Sequence, residues 1–356
     1  MKCYCVIDFK APLALIEREI PVPTGTQVLL QVRAAGVCHS DLHIWEGGYD
    51  LGQGRRLSLA ERGVSLPVTM GHETVGTAQA LGPDATGGEV PAIKTGHNYL
   101  AYPWIGCGHC ATCKSGQENH CMAPACLGVH RPGGYAEYLM VPHPKYLIDI
   151  GDLDPAKVAP YACSGLTTYS ALKKIGADIY QNHPIVIVGA GGLGLMCLSL
   201  LSALGGKGAI VVDIDPAKRQ AALDAGALAA IDGAAPDAVA QIVKAAGGPV
   251  QAAIDLVGAP VTTSTLFDTL TKGGKLVIVG LFGGSSGWPL ALIPIKAVSI
   301  VGSYVGNLQE LKELMVLVRE GRVDAIPVHR YALERADEVL NALMQGKVIG
   351  RAVLTA

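Results

Sequence analysis

Residues 36–43 read GVCHSDLH and bring a thiol, a hydroxyl, a carboxylate and two imidazoles close together in the chain. They belong to Cys38, Ser40, Asp41, His39 and His43. Thiolate and imidazole are preferred ligands of Zn²⁺, and a hydroxyl near an imidazole can pass on a proton. A lone cysteine, however, is more often a small buried apolar residue. The metal interpretation therefore needs further ligands elsewhere in the chain.

A second group of thiols follows the spacing C-x2-C-x2-C-x7-C. Its members are Cys107, Cys110, Cys113 and Cys121. Four thiolates held by short loops satisfy the closed tetrahedral coordination of a structural Zn²⁺. The alternative is an iron–sulfur cluster, but ferredoxin-type sequences carry a proline after the fourth cysteine, and Met122 stands here. The spacing therefore predicts structural zinc.

Two other places in the chain carry groups that could take part in chemistry. His72 and Glu73 lie between strand-like segments. An isolated His-Glu pair is more often structural or exposed than catalytic. Cys163 directly precedes a helix predicted over 164–172. A helix N-terminus would stabilise a thiolate at this cysteine.

A dinucleotide-binding pattern begins after residue 184. An apolar strand runs into G-x-G-x-x-G at Gly189, Gly191 and Gly194, and a helix is predicted over 195–204. Glycines at these positions let a pyrophosphate approach the backbone at a helix N-terminus. The next strand, 209–212, ends in Asp213, which would bind ribose hydroxyls and repel a 2′-phosphate. NAD is therefore favoured over NADP, with Lys218 and Arg219 expected to face solvent.

Bulk composition limits the possible partners. The 356 residues are 50% apolar and 16% charged, with 45 glycines and a net charge of −2. This balance argues against binding nucleic acid or an anionic membrane surface. No apolar run is long enough to cross a bilayer, and the first residues lack a signal-peptide core. Ten cysteines without an export signal favour metal ligation and a cytoplasmic protein.

The secondary-structure elements that must position these groups fall into two parts of the chain. Residues 1–163 show short strand signals, with 47–66 predicted as a polar surface loop carrying one helical turn at 58–62. From 164 onward helical segments alternate with strands, including 252–257, 275–280 and 297–302. This alternation predicts an α/β fold with a doubly wound parallel sheet. Two helices, 307–322 and 332–345, and a strand at 351–354 close the chain.

These motifs, in this order, make the sequence resemble the zinc-dependent alcohol dehydrogenases of the medium-chain dehydrogenase/reductase superfamily. The resemblance spans nearly the whole chain and implies a GroES-like β-rich catalytic domain plus a Rossmann domain. We expect the catalytic, zinc- and substrate-binding domain at 1–163 and 305–356, and the NAD-binding Rossmann domain at 164–304. The implied reaction is reversible hydride transfer between a primary or secondary alcohol and NAD.

The resemblance assigns a role to individual residues. The catalytic zinc ligands would be Cys38, His72 and Cys163, in addition to the structural zinc already described, giving two zinc ions per chain. Ser40 and His43 would relay the proton, Asp41 would orient His72, and Glu73 would approach the metal during ligand exchange. The cofactor contacts would be His39, Thr167, Gly189, Gly191, Gly192, Leu193, Gly194, Asp213 and Arg351.

Several alternatives stay open at this point. His43 could be simply solvated, and Glu73 could be only a structural salt bridge. Trp45, Tyr102 and Trp104 match the wall of a substrate pocket, although Tyr102 and Trp104 could equally be core aromatics. The loop 47–66 is longer than many family members need, so it borders either the substrate mouth or a subunit contact.

Two other functions compete with the leading one, and the assembly state is also open. A polyol or sugar dehydrogenase would share the fold, but such relatives more often have a carboxylate where Cys163 stands. A non-catalytic dinucleotide-binding protein would lack a ligand or relay residue, and none is missing. The apolar edge strand 297–302 predicts a homodimer or homotetramer.

Overall fold

The computed structural model describes residues 1–86 and 92–355. The first part of the chain is rich in short strands, which are β1 Lys2–Val6, β2 Ala14–Glu17, β3 Val28–Val37, β4 Gly48–Gly52, β5 Arg55–Ser58, β6 Val68–Thr69, β7 Glu73–Leu81, β8 Asn98–Ala101, β9 Tyr138–Val141 and β10 Leu147–Asp149. Short helices interrupt them at α1 His39–Glu46, α2 Ala111–Lys114 and α3 Pro155–Val158. Single 3-10 turns lie at Ala60–Arg62, Glu118–His120, Pro144–Tyr146 and Ala159–Ala162.

The second part alternates helix and strand. Its helices are α4 Ser164–Ile175, α5 Ala177–Tyr180, α6 Gly192–Ala203, α7 Pro216–Asp224, α8 Ala238–Ala246, α9 Pro260–Thr269, α10 Leu292–Lys296, α11 Leu308–Arg319 and α12 Ala336–Met344. Its strands are β11 Ile185–Val188, β12 Ala209–Asp213, β13 Ala229–Asp232, β14 Val250–Asp255, β15 Leu270–Ile278, β16 Ser299–Gly302, β17 Val328–Ala332 and β18 Arg351–Thr355. A 3-10 turn at Leu333–Arg335 precedes α12.

A mainly antiparallel sheet organises the first part, in the order β10-β8-β7-β3-β18-β17, with β9 also paired to β3. Within it Gly36 lies opposite Glu73 on one side and Val353 on the other. Because both neighbours run antiparallel to β3, the end of β3 meets the starts of β7 and β18. One end of the sheet therefore gathers Cys38, His72 and Arg351 from distant parts of the sequence.

A parallel sheet organises the second part, in the order β13-β12-β11-β14-β15-β16. This order, with the first strand central, is that of the Rossmann fold. The central strand β11 is buried at every position, which explains its uninterrupted run of isoleucine and valine. The predicted doubly wound parallel sheet is confirmed.

The turn between β11 and α6 requires glycine. Gly189 has a φ of +98°, and a Cβ at Gly194 would lie 2.0 Å from the Gly189 carbonyl oxygen. Glycine fits both places. The helix α6 begins at Gly192, earlier than the residue 195 expected from its apolar pattern. The helix N-terminus consequently faces the turn where a pyrophosphate would lie.

Residues 47–66 differ from the predicted surface loop. They contain the antiparallel hairpin β4–β5, closed by Gln53 and Gly54 with φ values of 55° and 74°. Positive φ at both turn residues is the geometry that joins two twisted strands tightly. The predicted helical turn is present as the 3-10 turn Ala60–Arg62.

Within the described residues, every helix is too short or too polar to cross a lipid bilayer.

Candidate active site

The end of the antiparallel sheet carries a buried group of metal-ligating atoms. It comprises Cys38, His72, Glu73 and Cys163, whose ligand atoms all lie within 4.8 Å of one another. Cys38 follows β3, His72 and Glu73 enter β7, and Cys163 directly precedes α4. Three separate sequence motifs therefore converge on one point, as the family resemblance implied.

The geometry of this group fits a zinc ion. The sulfur atoms of Cys38 and Cys163 are 3.9 Å apart. The Nε2 atom of His72 is buried and has no hydrogen-bond partner among the described residues. An unpartnered buried nitrogen is costly, and a metal ion bound between it and two thiolates would satisfy it. The residues present thus match a site with two thiolates and one imidazole.

The electrostatics of the group favour a thiolate at Cys38 before any metal is bound, whereas His72 and Cys163 would release a proton on binding one. The hydrogen bond from the Cys163 thiol lowers the pKa of Cys38 well below its usual range, although burial opposes this. Burial also disfavours charge on His72, but Asp41 and the Cys38 sulfur outweigh it and raise the His72 pKa. A thiolate is therefore already favoured at the point where a cation would bind.

Asp41 holds two parts of the site in place. Its Oδ1 lies 3.2 Å from the Nδ1 of His72, as predicted for the residue that orients this ligand. Its Oδ2 accepts hydrogen bonds from the Cys38 backbone N–H at 2.9 Å and from the Tyr135 hydroxyl at 3.0 Å. Tyr135 is fully buried and was missed from the sequence, where it is one aromatic residue in a strand-like segment.

Glu73 forms a buried ion pair with Arg351, and both side chains are almost fully excluded from solvent. Its other carboxylate oxygen accepts a hydrogen bond from the Ser164 backbone N–H at 3.2 Å. Burial raises the pKa of Glu73 to about 7, although Arg351 opposes the rise. The structural salt bridge considered for Glu73 is therefore present. Arg351 also packs below Gly192 at the start of α6, where a Cβ would lie 2.5 Å from its Cδ.

Replacing Arg351 by methionine should destabilise the zinc-loaded protein by about 3–5 kcal/mol, because a buried carboxylate loses its partner. Since the pKa of Glu73 is already raised, the loss should be smaller at pH 6 than at pH 8, where the carboxylate is more fully charged. Urea unfolding at the two pH values measures both effects.

The matched control for this prediction is Arg330→Met, which removes an exposed arginine of the adjacent strand β17 that pairs with Asp154. An exposed pair contributes at most about 1 kcal/mol, so this variant should stay close to the parent protein. Equal losses for the two variants would contradict a special cost of the buried pair.

The proposed relay residues lie on α1, directly after Cys38. Ser40 is partly exposed, whereas His39 is exposed. His43 is partly buried, with its Nδ1 3.7 Å from Glu46 and its ring 4.8 Å from that of Tyr49. Burial lowers the pKa of His43, which favours the neutral ring that can accept a proton. His43 is therefore not simply solvated.

The other residues predicted to contact the dinucleotide lie on α4, at the start of α6 and at the end of β12. Thr167 on α4 is buried, and its hydroxyl has no hydrogen-bond partner among the described residues. Asp213 ends β12 and accepts backbone hydrogen bonds from Ala190 at 2.7 Å and Asp215 at 2.9 Å. The turn residues Gly191 and Gly192 cap α6, and Leu193 is partly buried in its first turn.

Arg219 differs from the expectation that it faces solvent. Its guanidinium donates to the carbonyl oxygens of Asp213 and Ile214, at 3.0 and 2.9 Å, and lies 3.5 Å from Asp232. The side chain folds back because these acceptors lie one turn away at the start of α7. The charge next to Asp213 is thus already engaged by the protein.

The three predicted pocket aromatics have different surroundings. The Trp104 ring lies 5.2 Å from that of His72, so Trp104 borders the metal group. Tyr102 is fully buried, and its hydroxyl donates to the Gly306 carbonyl at 3.0 Å. Trp45 donates to the Ala11 carbonyl at 2.6 Å. Tyr102 is therefore a core residue in this structure, as one of the two interpretations held, and a pocket role for Trp45 stays a prediction.

The second metal-ligating group is the predicted cysteine loop. The four sulfur atoms lie within 4.8 Å of one another, with Cys107 and Cys113 at 3.9 Å and Cys110 and Cys121 at 3.8 Å. Backbone N–H groups lower the pKa of Cys107 to about 6. This arrangement fits the closed thiolate site of structural zinc.

Glu118 stabilises the cysteine loop through hydrogen bonds. This role was not predicted from the sequence. Its carboxylate accepts hydrogen bonds from the Gly106 backbone at 3.1 Å, from Tyr146 at 2.7 Å and from Lys145 at 2.7 Å. Burial opposes its charge, but these donors lower its pKa. The partners are separated from Glu118 by more than ten residues, so only the folded chain reveals them.

Comparison with known proteins agrees with this geometry. Residues 24–152 match the alcohol dehydrogenase GroES-like domain, and residues 192–320 match the zinc-binding dehydrogenase family. NAD-dependent alcohol dehydrogenases of Sulfurisphaera tokodaii and Saccharolobus solfataricus are each 37% identical over 359 residues, covering 99% of this chain and 99% of each relative. The crystal structure of the Aeropyrum pernix alcohol dehydrogenase is similar with a TM-score of 0.89 and 31% identity, covering 100% of both chains. The chain belongs to the zinc-dependent alcohol dehydrogenases of the medium-chain dehydrogenase/reductase superfamily.

Proposed function

We propose that this chain oxidises primary or secondary alcohols to aldehydes or ketones with NAD, reversibly. The observation that carries the proposal is the buried group of Cys38, His72 and Cys163, with its unpartnered imidazole nitrogen. This group lies where the start of the Rossmann domain meets the catalytic domain, because Cys163 directly precedes α4.

Cys38, His72 and Cys163 would hold the catalytic zinc. The bound zinc would supply a Lewis acid that lowers the pKa of the alcohol, and NAD would be the hydride acceptor. Asp41 fixes the ring of His72 through its contact with Nδ1. Glu73 keeps a carboxylate next to the ligands, and Arg351 holds it in place.

Ser40 and His43 would move the substrate proton. Ser40 follows the metal ligand Cys38 by two residues, and His43 lies one helical turn later on α1. A neutral His43 has a free nitrogen to receive the proton, and its partial exposure gives a route to solvent. Both residues thus connect the buried metal group to the outside of the protein.

The nature of the substrate is tested by a panel of alcohols. Purified protein is assayed with ethanol, benzyl alcohol, a secondary alcohol and sorbitol, each with NAD⁺ and with NADP⁺. We expect turnover of simple alcohols with NAD⁺ and much weaker turnover of sorbitol. Turnover of sorbitol alone would favour the sugar dehydrogenase alternative, and no turnover of any alcohol would reject the proposed function.

Asp213 should set the preference for NAD. Replacing it by asparagine removes the negative charge with little change in shape. We expect the ratio of kcat/KM for NAD⁺ to that for NADP⁺ to fall about 10- to 100-fold, because repulsion of a 2′-phosphate is lost.

The control for this prediction is Asp224→Asn, at the exposed end of α7. This variant makes the same change of charge in α7, the helix that follows β12. Its ratio of kcat/KM for NAD⁺ to that for NADP⁺ should equal that of the parent protein. A ratio unchanged in Asp213→Asn would contradict the role of Asp213.

We further propose two zinc ions per chain, because both groups of ligands are complete. We also propose a catalytic domain at 1–163 and 305–356 and a Rossmann domain at 164–304. The pairing of β18 with β3 supports the assignment of the C-terminal segment to the catalytic domain.

A homodimer or homotetramer is the proposed assembly. Strand β16 lies at the edge of the parallel sheet, and Leu290 and Ile295 are exposed just before it. An unpaired apolar edge favours pairing with a second copy. Sedimentation as a monomer at micromolar concentration would contradict this.

A cytoplasmic location is proposed because the cysteines form thiol groups suited to metal rather than disulfides.

A further inference from the structure

A glycine-rich segment just before β9 has no part in the function proposed above, yet it lies against the chain that carries His72. The Gly134 N–H donates to the Gly71 carbonyl at 2.7 Å, and the Tyr135 N–H donates to the Met70 carbonyl at 2.9 Å. The cysteine loop separates the two segments in sequence, so only the folded chain brings them together. These hydrogen bonds place Tyr135 beside the residues that directly precede the proposed zinc ligand.

The ring of Tyr135 packs on the backbone next to His72. Gly71 has a φ of +95°, a left-handed conformation that glycine adopts without strain. A Cβ at Gly71 would lie only 2.5 Å from the Cδ1 atom of Tyr135. The side chain of Tyr135 is fully buried, so close packing fixes the ring in this place. The ring therefore limits movement of the backbone that carries the ligand.

The hydroxyl of Tyr135 reaches the other side of His72 through Asp41. A carboxylate can only accept, so the hydroxyl donates to the Oδ2 atom of Asp41, at 3.0 Å. The same oxygen accepts from the Cys38 backbone N–H at 2.9 Å. Two donors on Oδ2 fix the plane of the carboxylate and leave Oδ1 beside the Nδ1 atom of His72, at 3.2 Å. Within residues 1–86 and 92–355, Tyr135 is the only side chain that donates a hydrogen bond to Asp41.

We propose that Tyr135 is a positioning residue of the catalytic zinc site, which holds His72 through Asp41 on the imidazole side and through Gly71 on the backbone side. The inference rests on the proposed function, because it concerns a ligand of the catalytic zinc. The two side chains in contact, Asp41 and His72, are fully buried, so solvent does not replace the hydroxyl as a donor. Partners that orient a metal-binding histidine typically change metal affinity about 10- to 100-fold.

The test measures how fast zinc leaves the protein. Parent protein and Tyr135→Phe are loaded with zinc and mixed with the coloured chelator pyridylazoresorcinol. This substitution removes the hydroxyl and keeps the ring against Gly71. We expect the catalytic zinc to leave about tenfold faster from Tyr135→Phe than from the parent, and the zinc of the cysteine loop to leave at the parent rate. The phase of release that Cys38→Ala lacks identifies the catalytic zinc.

Tyr99→Phe is the matched control. Tyr99 is a buried tyrosine of β8 in the same antiparallel sheet, and its hydroxyl accepts from the Lys94 backbone N–H at 2.9 Å, outside the metal group. Removing this hydroxyl makes the same chemical change in the same sheet. Both zinc ions should therefore leave Tyr99→Phe at the parent rates.

A double-mutant cycle separates positioning through Asp41 from a general effect on packing. If the hydroxyl acts through Asp41, Tyr135→Phe should cause little further acceleration of zinc release in Asp41→Asn. Unchanged release in Tyr135→Phe, equal acceleration in Tyr99→Phe, or the same fold-change with and without Asp41→Asn would overturn the inference while leaving alcohol oxidation intact. A parent protein that binds zinc only in the cysteine loop would instead reject the proposed function, and this inference with it.

Discussion

Replacing Cys38 by alanine should lower kcat/KM for alcohol oxidation by more than about 1,000-fold, because the catalytic zinc loses a ligand and with it the means to acidify the alcohol. Cys38 lies directly after β3 and shares a buried group with His72 and Cys163. No other thiol of the described chain is placed to take over its position. Steady-state kinetics with benzyl alcohol and NAD⁺ measures the loss.

The control is Cys197→Ala, which removes a fully buried thiol of α6 outside both metal groups. It should retain activity, since it changes only packing. Substantial activity of Cys38→Ala, or an equal loss in both variants, would contradict the assignment of Cys38 as a ligand. Circular dichroism of the two variants separates loss of metal from loss of fold.

The second large effect concerns the stability of the cysteine loop. Replacing both Cys110 and Cys113 by serine should remove the structural zinc and lower Tm by about 10 °C or more, because metal binding contributes to folding free energy. The loop has little apolar core of its own: Cys107 and Cys110 are partly exposed. Differential scanning calorimetry of the purified variant measures the shift.

Cys3→Ala is the matched control for the loop variant. Cys3 is buried in β1 and belongs to neither metal group. We expect its Tm to remain within a few degrees of the parent value, as for a small change in packing. The loop variant should still bind one zinc ion per chain, and an unchanged Tm would show that the loop does not depend on metal.

The parts of the site that rest on local spacing could be predicted from the sequence. The short spacing between the four cysteines of the loop brings their thiols together. The turn before α6 needs glycine at Gly189 and Gly194. The position of Asp41 beside His72 followed from the family resemblance and agrees with the 3.2 Å contact. Each of these features depends on a motif that carries its own geometric requirement.

Other parts depend on strand register and could not be predicted. Tyr135 reaches Asp41 across 94 positions of sequence, and Glu73 pairs with Arg351 across 278 positions. Only the pairing of β3 with β7 and β18 brings the last two together. The sequence pattern of a strand shows which faces are buried but not which partner stands opposite.

The hairpin β4–β5 and the pocket aromatics show a different limit. A polar, glycine-rich segment is typical of a loop, and the turn at Gln53 and Gly54 lacks the asparagine or aspartate that usually marks a tight hairpin. Tyr102 and Trp104 are two residues apart, yet one packs in the core and the other borders His72. Residues two apart share one face of a regular strand, but β8 ends at Ala101, so the sequence pattern does not fix the direction of either ring.

The central claim is that this chain holds two zinc ions, of which one is catalytic. The most direct test is zinc analysis by inductively coupled plasma mass spectrometry, together with activity, on the parent protein and on Cys38→Ala. The account predicts two zinc ions per active parent chain and one per inactive, folded Cys38→Ala chain. A fully active parent chain with only one zinc ion, or a Cys38→Ala chain that keeps two, would contradict it.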